Sequence, residues 1–224
     1  NEYLTRDIFD EYKSSYIYVE RTLRDGSVRK GLMGAADLEK YDFSKGSQSE
    51  IRATEGTVLS RIPPRVRVRK DASLELPHIM LLIDDINKTV IEPLAGKKEG
   101  YKKVYDFALM QDSGSIKGYL VDSKTAASID SAIEKLADRQ AFEAVYGSDK
   151  GILTIAVGDG NHSLATAKEC YEQLKKADPN AANSPARYAL CELSDLNDET
   201  LQFEPIHRVV FDIDTEHFKA ELAA

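Results

Sequence analysis

A chain of 224 residues can fill one large domain or two small ones, and 42% hydrophobic with 30% charged residues is the make-up of a globular protein with a core. The formal net charge of −8 repels phosphate backbones and anionic membranes, so neither nucleic acid nor a membrane is expected as a partner. The longest apolar runs, Ile79–Ile83 and Ile152–Val157, fall far short of the roughly 20 residues of a membrane-spanning helix.

Tyr16–Leu23 is aromatic and β-branched, Asp25-Gly26 signals a two-residue turn, and Val28–Met33 returns as the partner strand. Asp37–Lys40 offers one helical turn, Asp42–Glu50 reads as a loop, and Pro63-Pro64 punctuates the chain. Ile79–Asp84 and Lys88–Pro93 read as strands around Asp85–Asn87, and Val104–Met110 pairs with Ile116–Val121 around Asp112-Ser113-Gly114. From Ser128 a helix places Ile129, Ile133, Leu136 and Ala137 on one face, and Gly147 stops it. Ile152–Val157, apolar except for Thr154, has the pattern of a strand buried on both faces. Gly158-Asp159-Gly160-Asn161 then leads into a helix with Leu164, Ala167, Tyr171 and Leu174 on its apolar face. Arg187–Leu193 and Leu201–Phe211 are further strands, the second with Pro205 at an edge or bulge, and Glu216–Ala224 is helical. Strands with few but well-formed helices predict an α+β fold around a mixed sheet. One continuous globular region over 1–224 is expected, with a subdivision near 1–122 and 123–224. The start at Asn1 without an initiator Met, and the end within a helical run, suggest a piece of a longer protein. Cys170 and Cys191 stand at no metal-ligand spacing and are expected as buried thiols in a cytoplasmic protein.

The segment Gly158-Asp159-Gly160-Asn161-His162-Ser163 concentrates chemistry at a strand-to-helix junction. Its glycines let a ligand approach the backbone, and the first turn of the helix offers free N–H groups and a partial positive charge to an anion. The bland alternative is that Asp159, Asn161 or Ser163 caps the helix and His162 bonds to a neighbour. A second concentration is Arg52–Lys70, where six basic residues face one acid, Glu55, so that the rest of the chain carries −13. Guanidinium groups suit carboxylate or phosphate, although arginines on an acidic surface also find ordinary ion-pair partners. Arg65 and Arg69 share a side whether their segment is helix or strand. Among the four histidines His162 is the sharpest candidate and His207 the second, with His78 and His217 read as structural or solvated. Asp159, His162, Glu55 and His207 match no zinc spacing, and no P-loop or dinucleotide fingerprint occurs.

Ile51-Arg52-Ala53-Thr54-Glu55-Gly56-Thr57, Arg61-Ile62-Pro63-Pro64-Arg65-Val66 and Glu75-Leu76-Pro77-His78-Ile79-Met80, with Gly158–Ala167 and Pro205-Ile206-His207-Arg208, resemble domain-of-unknown-function family 1015 of bacteria and archaea. That resemblance covers most of the chain and supplies no activity. The turn at Asp159–Ser163 is in addition similar to the Asp/Gly-x-His-Arg turn of the ParB and sulfiredoxin-like fold, which would form the core of the second half. In that fold the turn and its helix hold nucleotide phosphates, and some relatives are small-molecule kinases. Ser163 stands where that turn has arginine, so Arg52, Arg61 or Arg65 would have to supply the charge.

Two functions stay open. In the first, a phosphorylated small molecule or nucleotide, accompanied by magnesium, binds at Gly160, Asn161 and Ser163 with Arg52, Arg61, Arg65 and His207. His162, Glu55 and Asp159 then serve phosphoryl transfer or hydrolysis, with Glu55 as base or magnesium ligand. In the second, a non-catalytic module uses the polar turn to fix its fold and binds a protein or small ligand elsewhere. The first requires Asp159, Asn161 and His162 to line the main concave site and Arg52 and Glu55 to approach the same turn.

Overall fold

The computed structural model describes residues 2–149, 151–202, 207 and 209–223. After a short helix α1 (Glu2–Thr5), β1 (Ile17–Thr22) and β2 (Val28–Asp37) form an antiparallel hairpin. Leu23 N–H donates to the Ser27 carbonyl at 2.8 Å, so the loop holds three residues rather than two, with Gly26 at φ 86° and Asp25 accepting from Ser27. Asp37 caps a 3₁₀ turn over Leu38–Lys40, and β3 (Tyr41–Asp42) and β4 (Ile51–Ala53) follow. Pro63 and Pro64 do not break the chain but open α2 (Ile62–Arg69), where a missing N–H costs no hydrogen bond.

Two residues after β5 (Met80–Ile83), the buried carboxylate of Asp85 accepts the backbone N–H groups of Thr89 and Val90. This closes a loop where Lys88–Pro93 had the pattern of a strand, and Pro93 lies in the first turn of α3 (Glu92–Ala95). β6 (Lys102–Ala108) and β7 (Ser115–Leu120) pair antiparallel. The helical pattern before Gly147 resolves into α4 (Ser123–Leu136), capped by Asp122, and α5 (Arg139–Tyr146), capped by Asp138. Each cap satisfies an N–H that the helix leaves unpaired. β8 (Ile155–Asp159) starts later and runs further than the apolar pattern suggests, then passes into α6 (Asn161–Ala177). β9 (Tyr188–Asp195) and α7 (Thr215–Leu222) complete the order, and no described residue of 201–211 is in a strand. Pro205 lies outside the described residues.

All nine strands form one mixed sheet in the order β3-β4-β8-β5-β9-β2-β1-β7-β6, an α+β architecture. One register row crosses six strands with apolar side chains: Tyr119, Tyr18, Leu32, Leu193, Leu81 and Val157, each at most 9% exposed. Leu164 and Tyr171 of α6 and Ile129 of α4 join the same cluster. Burial of such side chains contributes about 1.5–3 kcal/mol each, which makes this row the anchor for the junction at β8–α6. Ile62 and Val66 of α2 pack on Ala165 of α6 as a second cluster. Neither cysteine is bridged, and burial pushes the Cys191 thiol up to about 12. No helix among the described residues is long and apolar enough to cross a membrane.

Candidate functional site at the β8–α6 junction

Val157 is fully buried, and two residues later β8 ends at the exposed Asp159, whose carboxylate accepts the Gly160 N–H at 2.7 Å. Gly160 sits at φ 87°, ψ 21°, and a Cβ there would come 3.2–3.3 Å from Ile79. Both the left-handed backbone and the contact with β5 call for glycine. As the N-cap residue Gly160 brings no side-chain acceptor, and no side chain caps α6. The first turn of a 17-residue helix thus keeps the donors and partial positive charge that suit an anion.

The residues following Gly160 are tied to the segment after β4. Asn161, 6% exposed, accepts the Thr54 N–H at 3.2 Å and donates to Thr54 Oγ1 at 3.3 Å and to the Val157 carbonyl at 3.4 Å. Thr54 Oγ1 itself donates to the Val157 carbonyl at 2.6 Å. His162 Nε2 accepts the Val58 N–H at 3.2 Å, and its Nδ1 lies 3.7 Å from Glu55 Oε1. An Nε2 that accepts places the ring proton on Nδ1, facing the Glu55 carboxylate. The imidazole is mostly covered, with 18% of its side chain exposed, while Glu55 stands at 61%. Ser163 accepts Arg69 Nη1 through its carbonyl at 2.8 Å and its hydroxyl at 3.2 Å, and Arg69 is held in turn by a two-pronged pair with Glu75.

Of the sequence-derived candidates, Glu55, Asn161 and His162 therefore meet around the 54–58 segment, with Asp159, Gly160 and Ser163 beside them in the chain. The arginines do not gather there as expected. Arg52 directs its guanidinium to the carbonyls of Ser47, Gly151 and Ile152. Arg61 and Arg65 are exposed, the second donating to the carbonyl of the first. The arginine that does reach the turn is Arg69. His207 is exposed and makes no hydrogen bond or ion pair to the turn. Thr54 and the Val58 N–H carry no sequence signal of their own, since their role depends on β4 lying beside β8.

A cavity of about 1090 Å³ opens on the other side of the same strands. Its lining includes Leu82 and Ala156 of the sheet, Phe142 and Tyr146 of α5, and polar side chains of both signs, among them Arg52, Lys135, Asp84 and Asp85. None of Asp159, Asn161 and His162 lines it. The concave site lies towards the start of β8, where Gly151, Leu153 and Thr154 enter the strand, and Thr54 is the residue shared with the turn. Burial alone lowers the Arg52 pKa, with no carboxylate acting against it. The described residues contain no group of three or more His, Cys, Asp or Glu side chains placed to hold a metal ion.

A model of the family described as protein of unknown function (DUF1015) matches residues 1–224. No curated protein and no solved structure matches the chain, so the likeness to the ParB and sulfiredoxin-like fold finds no support there. With the match running over the whole chain, this protein belongs to the DUF1015 family.

Proposed function

We propose that the chain binds a phosphorylated small molecule or nucleotide, with the phosphate at the first turn of α6. The observation that carries this reading is Gly160: a left-handed glycine at the N-cap leaves the first N–H groups of a long helix without a side-chain acceptor. Glu55 and Asp159 flank that turn as exposed carboxylates, and a magnesium ion arriving with the phosphate needs no more than one or two of these plus water. His162 could serve as a proton acceptor for phosphoryl transfer or hydrolysis only through Nε2, which the Val58 N–H occupies. Catalysis would therefore require the 54–58 segment to release the ring as ligand enters. The unbridged thiols of Cys170 and Cys191 fit a reducing, cytoplasmic setting.

A specific observation favours a second reading, that of a non-catalytic ligand-binding module: the 1090 Å³ cavity is lined without His162 or Asp159. Titration calorimetry with a nucleotide panel, with and without magnesium, on the wild type and on His162→Ala separates the two. Heat that falls with His162→Ala, in a folded variant, supports the first reading. No heat with any nucleotide, alongside binding of an apolar dye displaced by substitutions at Phe142, leaves the second.

A further inference from the structure

Away from both the turn and the cavity, β1, β2 and β9 bring together an unusual set of charges. In the β1–β2 register Arg21 lies directly opposite Arg29, an arrangement of like charges that costs stability unless something neutralises it. Glu192 of β9 neutralises one of them. Its carboxylate, 4% exposed, accepts Arg29 Nη2 at 3.0 and 3.2 Å and bonds His78 Nε2 at 2.5 Å. Gly31 makes this reach feasible, since a Cβ there would overlap Glu192 Oε1. Both carboxylate oxygens are thereby engaged, and neither bonds to Arg21. The Arg21 side chain has no hydrogen-bond or ion-pair partner among the described residues, and the Nε atoms of Arg21 and Arg29 are buried without acceptors. His78 senses both guanidinium groups, and 56% of its side chain is open to solvent. Tyr105, laid over Gly118 on β7, and the buried Cys191 thiol also feel the Glu192 charge.

We propose that Arg21, Arg29 and His78 form a binding site for a small oxyanion, a phosphate ester or a carboxylate, with Glu192 positioning Arg29 and His78. Arg29 and His78 converge on one carboxylate, Arg21 lies opposite Arg29 without a carboxylate of its own, and the open side is marked by an imidazole. An oxyanion supplies the missing negative charge. His78 presents its Nδ1 to such a ligand because Nε2 is spent on Glu192. The site is independent of the reading for α6, from which it differs in residues and in strands.

The test is an NMR titration of the histidine ring resonances with inorganic phosphate and, separately, with acetate, both at ionic strength matched with sodium chloride. His78, assigned by His78→Gln, is expected to shift saturably with at least one anion. Phosphate alone, acetate alone or both would each support the site and would name its ligand class. Arg21→Gln should weaken that binding about tenfold or more, the scale of a charge-assisted hydrogen bond. Because the Arg21 side chain makes no hydrogen bond or ion pair among the described residues, this variant should stay folded. Arg24→Gln, which changes an exposed arginine of the neighbouring hairpin loop, should leave the titration unchanged. A His78 ring that neither anion moves, or an Arg21→Gln variant that titrates like the wild type, would overturn the proposal. Binding at α6 would instead move His162.

Discussion

Asn161 grips Thr54 through both ends of its amide, taking the Thr54 N–H on Oδ1 at 3.2 Å and giving Nδ2 to Thr54 Oγ1 at 3.3 Å. The first residue of α6 thus fastens the helix start to the chain leaving β4, and does not cap its own helix. Asn161→Ala leaves a part-buried N–H without its acceptor and should cost about 1–3 kcal/mol. Asn161→Asp keeps the acceptor but faces a carboxylate oxygen towards the Val157 carbonyl, so it should rescue little. Urea denaturation of the three proteins checks this, and an unchanged midpoint in Asn161→Ala would remove the fastening role.

His162→Ala should free the 54–58 segment while leaving the core intact. The lost Val58 N–H···Nε2 bond is worth about 0.5–1.5 kcal/mol net, a modest loss. Hydrogen exchange at Val58 should accelerate by more than at Val157 or Leu164. If an activity is found, its loss should exceed this stability effect, because general acid or base catalysis contributes about 10²–10⁴-fold.

Gly160→Ala tests the junction itself. A side chain at φ 87° costs about 1–2 kcal/mol, and the Ile79 atoms at 3.2–3.3 Å must also give way. A lowered thermal midpoint is expected. A neutral result would show that the turn can relax and that its left-handed geometry is not needed to aim α6.

The Glu192–His78 pair sets a pH window. Burial alone would raise the Glu192 carboxyl, but His78 and Arg29 outweigh it and hold it below the usual range. That contribution is present above the unfolded value of about 4.3 and is lost as pH falls through the folded one. The hydrogen bond to Glu192 raises the His78 pKa. Its contribution is present below about pH 6.5 and is lost as pH rises through the folded value. Since His78 is more than half exposed, the alkaline decline should be small. Denaturation across this range should show a plateau with a fall on each side, and His78→Gln should abolish the upper fall. Superimposable profiles above pH 6.5 would contradict the pairing.

Arg52→Ala should loosen the segment entering β8. Its guanidinium holds carbonyls on both sides of that entry, at Ser47, Gly151 and Ile152. Limited proteolysis should cut near 151–153 sooner in the variant, and Arg52→Lys should restore only part of the protection, since an ammonium lacks the fork that reaches several acceptors. Equal cleavage in all three would show that the sheet pairing of β8 suffices.

Local pattern determined a good part of this protein. The alternation and turn residues of 16–33 and 104–121 specified two hairpins, because strand pairing across a short loop is a local event. Asp122 and Asp138 split one helical pattern into two, a detail that side-chain caps encode but periodicity hides. The chemistry-rich turn was legible too, since glycine at a left-handed position between an apolar strand and an amphipathic helix is written in adjacent residues. What lay beyond the sequence depends on contacts far apart in the chain. Only the order of the sheet, with β4 beside β8 and β9 between β5 and β2, decided that Glu55 meets His162 while Arg52 turns away. The same order set His78, read from sequence as structural or solvated, against a buried Glu192 that lies 114 residues away. Side chains on adjacent strands become neighbours through backbone pairing, whose partners are chosen by burial of the whole sheet and not by any short stretch of residues.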